Sequence, residues 1–147
     1  MNRNAPTCGR ILLACSPDSE PTLRSALDPL EAEIVSAFAH DAAKDELEAG
    51  VDLVVCSLRF DESRMLDFIA EAARERPSVP FVCCHVGGEL PTDSLRAAFT
   101  AAGHLGAVAI VDFPQVARRE SVAQAEALLR GAVLAHLGHD ARHASMS

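Results

Sequence analysis

The chain has 147 residues, enough for one domain with a proper core, and its 49% hydrophobic and 23% charged residues exclude a disordered segment. Its formal net charge is -8, and its 13 lysines and arginines are scattered rather than gathered into a stripe, which excludes a phosphate-backbone partner. No apolar run is long enough to span a membrane and the first residues carry no signal-peptide pattern, so a cytoplasmic protein is expected.

Arg10 to Cys15 reads as a first buried strand, followed by a Ser16–Ser19 loop that caps a helix with Pro21 in its first turn. That helix carries Leu23, Ala26, Leu27 and Leu30 at helical spacing, and Glu33 to Ala39 is the second strand. Asp41 to Ala49 is a short helix closed by Gly50. Val51 to Ser57 is an apolar run with no helical period, which suits a central strand buried on both faces.

Ser63 to Arg76 is helical, with Met65, Leu66, Ile69, Ala70 and Ala73 expected to face inward, and Pro80 to His85 makes a fourth strand. Gly87-Gly88 opens a loop, Thr92 to Ala102 is the next helix, and Ala107 to Val111 is a fifth strand stopped by Phe113-Pro114. The last helix is expected from about Val116 to Leu137, with Ala125, Leu128, Leu129, Ala132, Val133 and His136 on one stripe. Strand and helix alternate five times, the pattern of an open parallel sheet with helices on both faces. The expectation is one α/β domain over 10–137, with an N-terminal extension at 1–9 and a flexible tail at 138–147.

Open α/β sheets place function at the carboxyl ends of their strands, and Ser57 stands at the end of the third. The cysteines, at 8, 15, 56, 83 and 84, are odd in number and have no CxxC spacing, which fits reduced thiols better than a disulfide framework. Side-chain alternation sends Cys83 and Cys84 to opposite faces, which works against a shared metal site. On the same parity argument Ser57 and His85 are expected to share a loop-end pocket, with Cys56 and Cys84 in the core. No acidic residue is placed by spacing to orient His85, so no triad is expected. His136, His139 and His143 are taken as a solvated tail and not a metal site.

In order and spacing, Asp52-Leu53-Val54-Val55, Val79-Pro80-Phe81-Val82 and Gly106-Ala107 with Phe113-Pro114 make the chain resemble the receiver domain of two-component response regulators over roughly 10–129. The resemblance implies a flavodoxin-like (βα)5 three-layer sandwich with strand order 2-1-3-4-5. It also implies five chemical positions: an acidic pair for Mg²⁺, a phosphoacceptor Asp, a Thr or Ser after the fourth strand and a Lys before the Pro after the fifth. Here those positions read Cys15 and Ser16, Ser57, His85 and Phe113. The family's switch aromatic on the fifth strand reads Ile110, and Asp61 and Met65 replace a usual Pro and Gly.

Cys15 and Ser16 offer a hard cation no carboxylate, Ser57 is a weak nucleophile without a base, and Phe113 cannot neutralise a phosphoryl oxygen. The resemblance therefore implies a degenerate pseudo-receiver whose five positions form a vestigial pocket. It is expected to be no enzyme, with no catalytic residue, metal or cofactor. Its partner is expected to be a signalling or transcription regulator, with a homodimer contact through the apolar end of the last helix at Leu134 and Leu137. The alternative is a thiol-based redox or small-ligand sensor using Cys15, Ser57, Cys84 and His85.

Overall fold

The computed structural model describes residues 9–87 and 91–146, with side chains described as far as Leu137. Residues 1–8, residues 88–90 in the loop after Gly87, and Ser147 lie outside the described residues.

Five parallel strands form one sheet: β1 (Arg10–Ala14), β2 (Glu33–Ala37), β3 (Leu53–Ser57), β4 (Phe81–His85) and β5 (Ala109–Asp112), in the order β2-β1-β3-β4-β5. This is the flavodoxin-like arrangement expected from the sequence. Every residue of β3 and β4 is buried, because helices cover both faces of the middle of the sheet. The edge strands β2 and β5 are only partly covered, which matches their more polar sequences.

The helices are α1 (Glu20–Leu27), α2 (His40–Ala49), α3 (Met65–Glu75), α4 (Thr92–His104), α5 (Phe113–Arg119) and α6 (Val122–Met146). Two cores result. One face of the sheet, with Ile11, Leu13, Leu53, Val55 and Val82, packs on α1, α5 and α6. The other, with Leu12, Val54, Cys56, Phe81 and Cys83, packs on α2, α3 and α4. Alternation along each strand produces this division directly. A tripod at the opposite end of the sheet ties β1 down: the Arg10 guanidinium donates to Glu46 at 2.8 Å, to the Gly50 carbonyl at 2.7 Å and to Glu33 at 3.5 Å.

Several boundaries differ from the sequence reading. β2 ends at Ala37, which leaves Phe38 exposed. In α3 the buried stripe is Met65, Phe68, Ile69 and Ala72; Leu66, Ala70 and Ala73 lie at its half-buried margins. The stripe is turned because the ring of Phe68 packs between Phe60, at 5.3 Å, and Phe81, at 6.1 Å. The single last helix is two. Asp112 accepts the Gln115 N–H at 3.3 Å as an N-cap, so Phe113-Pro114 begins α5 instead of ending a strand in a loop. Proline is tolerated in a first helical turn because its missing N–H has no partner there anyway. α5 closes at Glu120, and Ser121 Oγ accepts the Gln124 N–H at 3.0 Å to start α6. The backbone of α6 then continues past Gly138 to Met146, beyond the end expected at Leu137.

Candidate functional site

The carboxyl ends of β1, β3, β4 and β5 converge at one edge of the sheet, and the five expected positions are distributed around it. Register fixes how. Ala14 pairs with Cys56, so Cys15, the next residue, comes level with Ser57. Ser57 pairs with Cys84, and Cys84 pairs with Val111. The row Cys15–Ser57–Cys84–Val111 therefore lies on the face covered by α1 and α6, together with Phe113, which is only 4% exposed.

Ser57 is 1% exposed, and its Oγ has no hydrogen-bond partner among the described residues. Its neighbours in the row are thiols and aliphatic carbons, which supply neither a base nor a cation. The Cys84 thiol donates away from it, to the Cys56 carbonyl at 3.7 Å. Ser16 is half-buried and shares a 3.0 Å hydrogen bond with Ser19, so its hydroxyl closes the β1–α1 loop.

His85 does not join this row. It follows Cys84, so alternation turns it to the α2–α3–α4 side, where it is 4% exposed and paired in register with Asp112. The parity argument from sequence was wrong on this point: Ser57 and His85 project to opposite faces. Cys56 and Cys84 are both core residues, but in different cores. The acidic neighbour of His85, Asp112, was missed because only the β4–β5 register identifies it. With Ser57 Oγ unbonded and His85 on the other side, the constellation lacks the nucleophile-to-base contact that acyl or phosphoryl transfer by a hydroxyl requires.

Burial dominates the thiols. It pushes Cys15 and Cys83 up to about 12 and Cys56 and Cys84 well above the ordinary range, so the thiolate that would react or bind metal is disfavoured at all four. The same donor set does not fit Mg²⁺. Cys15, Ser16 and Ser57 present no carboxylate, and a hard cation needs several charged or neutral oxygens.

A broad concavity lies elsewhere. A groove of about 720 Å³ runs over β5 between α4 and α6, lined by Leu95, Phe99, Ile110, Val116 and Leu128 among others, with Arg96 and Asp112 as its charged members. It exists because α4 is lightly packed: Ala102 is its single fully buried residue, and Ile110 on the edge strand stays 39% exposed. The sequence reading singled out Ile110 only as a missing aromatic.

A five-stranded parallel sheet in this order, with these helices, is the fold of response-regulator receiver domains. No protein-family model and no curated protein sequence matches the chain. Solved structures do. The chain superposes on NtrX from Brucella abortus with a TM-score of 0.69 and 17% identity, covering 95% of this chain and 29% of that one. It superposes on the phosphorylated cyanobacterial phytochrome response regulator RcpA with a TM-score of 0.66 and 13% identity, covering 88% and 94%. A response regulator receiver domain protein from Clostridium thermocellum gives a TM-score of 0.65 at 15% identity, covering 89% and 95%. The chain thus spans less than a third of NtrX but nearly the whole of the other two.

Proposed function

We propose that this chain is a receiver-like signalling domain that acts through protein contacts without being phosphorylated. The observation that carries the reading is the buried row Cys15–Ser57–Cys84 with Phe113 beside it, where the receiver fold otherwise places carboxylates and a lysine. A phosphoryl group there would meet no cation and would enter a dry, apolar layer, which costs several kcal/mol by order of magnitude. The domain is no enzyme, uses no cofactor, and works in the cytoplasm on a signalling or transcription regulator.

The test is direct. The protein is incubated with acetyl phosphate and Mg²⁺ and its intact mass taken; the unmodified mass is expected throughout. A stoichiometric phosphoryl adduct overturns the reading.

A homodimer through the last helix belongs to the same proposal, with one residue exchanged. Leu137 is buried in the α1–α6 core, whereas Leu128 and Leu134 are 43% and 46% exposed. Between them the exposed face of α6 carries Ala127, Gly131 and Ala135 and no charge. The acidic and basic side chains of the described part, Glu126 and Arg130, turn instead to Ser25 and the Ala26 carbonyl of α1. On a molecule of net charge -8, an uncharged strip beside an apolar groove is where a second copy meets the least repulsion. The thiol-sensor alternative has less support, since burial withholds the thiolate at each of the four described cysteines.

A further inference from the structure

The loop from β3 to α3 is tied to the sheet at its start. Leu58 N–H donates to the Cys84 carbonyl at 2.8 Å, Phe60 N–H turns back to the Ser57 carbonyl at 3.0 Å, and the Phe60 ring is fully buried among Phe68 and its neighbours. The next three residues are unusual. Asp61, Glu62 and Ser63 have φ of 46°, 56° and 71°, a run of left-handed backbone with no glycine in it. In that conformation each Cβ crowds a carbonyl oxygen, so L-residues visit it singly and seldom in succession.

One side chain of the three is bonded. Asp61 Oδ2 accepts the His40 N–H at 2.8 Å, at the first turn of α2. Ala39, the residue before that turn, supplies no side-chain cap, so a carboxylate from a different loop takes the place and sits at the positive end of the helix. Glu62 and Ser63 are exposed. The span the loop must cross is fixed independently: Glu71 on α3 binds His40 Nε2 at 2.8 Å and Lys44 Nζ at 2.7 Å, holding α2 against α3.

We propose that this loop is a latched strap: Asp61 on the α2 N-terminus holds Asp61–Ser63 in their left-handed form, and release lets them relax and draws Phe60 out of the core. Latched, Phe60 seals the α2–α3 side of the sheet at the end of β3; released, that edge opens to solvent. The Arg64 N–H also closes the turn on the Phe60 carbonyl at 2.8 Å, so Asp61 supplies the side-chain tie to the rest of the molecule, and strain held by so few bonds is what a two-state element needs. The device is independent of the phosphorylation argument, since the latch and the strained residues, His40 and Asp61–Ser63, are none of the five positions and only the backbone carbonyl of Ser57 touches the loop.

Amide hydrogen exchange of the full chain, read by residue, tests it. Asp61→Ala is expected to speed exchange of the 58–64 amides by about tenfold while β1 and β4 amides hold their rates. Asp61→Asn keeps an acceptor and tolerates the left-handed region, and is expected within about threefold of the parent. His40→Ala leaves the backbone donor in place and is expected to resemble Asp61→Asn. Glu62→Gly removes strain without touching the latch and is expected to slow loop exchange by about threefold. Unchanged loop exchange in Asp61→Ala, an equal acceleration of every amide in it, or faster loop exchange in Glu62→Gly overturns the proposal.

Discussion

A hydroxyl buried without a partner costs about 1–3 kcal/mol, and Ser57 carries that cost at the centre of the sheet. Ser57→Ala is therefore expected to raise stability by about 1 kcal/mol in urea denaturation, part of the gain being offset by the void left behind. Ser57→Asp restores the residue type the fold usually has at this position, yet here the carboxylate meets only Cys15, Cys84 and Phe113. It is expected to lose at least about 3 kcal/mol at pH 7 and to recover much of it below pH 5. The sign follows from burial: the folded-state value is raised, so the penalty acts above the ordinary carboxylate range and fades as pH falls through it. A Ser57→Asp protein as stable as its parent would show a charge-compensating group at the site. The opposite sign operates at Glu71, where Lys44 first and His40 second hold the carboxyl at about 2 instead of its ordinary 4.5. Its contribution is complete above 4.5 and is lost as pH falls from there toward 2. Acid titration of stability is expected to be flatter for Glu71→Gln than for the parent across that window, with the two curves converging at its acid end.

At the level of elements, strands β1, β3 and β4 were legible because their apolar runs lack a helical period, and β1 and β4 also end in loops with Ser, Pro or Gly. The helices were legible in position but not in rotation. Phe68 and Ala72 were missed in α3 because Leu66, Ala70 and Ala73 satisfy the same 3.6-residue period on the adjoining flank of the helix, about 100° away. Only the rings of Phe60 and Phe81, brought in from a loop and another strand, decide between the two stripes. The division of the last helix lies at Glu120 and Ser121, whose hydroxyl caps α6, while the start of α5 turns on Asp112, whose carboxylate caps a helix that the following Phe-Pro pair concealed. The same ambiguity had grouped Leu137 with Leu134; packing into the core shared with α1 buries the first and leaves the second outside.

For the whole molecule, the proposed homodimer rests on the exposed face of α6 and the groove beside it. The paired substitution Leu128→Asp with Leu134→Asp is expected to convert a dimer to a monomer in sedimentation analysis, with the unfolding free energy changed by less than about 0.5 kcal/mol because both residues lie outside the core. Leu137→Asp, three residues on, is expected to unfold the protein instead, since it places a charge in the α1–α6 core. A dimer that survives the double substitution, or a parent that is monomeric at high concentration, excludes the α6 contact. Among the described residues the groove's charges are Arg96 and Asp112, of opposite sign, so raising salt is expected to shift the association only slightly compared with removing the leucines.

Local pattern by itself determined the five alternating strands and helices and the buried character of β3, because these depend on residue identity and on periods of two and 3.6. Tertiary structure decided what the residues of the site do together. Register between parallel strands set Ser57 level with Cys15 and Cys84 and turned His85 toward Asp112, and no local period encodes the register of two strands joined by a helix. The packing of α4 and α6 likewise decided that Ile110 and Leu128 face a groove, since a helix sequence states that it has an apolar side but not how closely its neighbour will cover it.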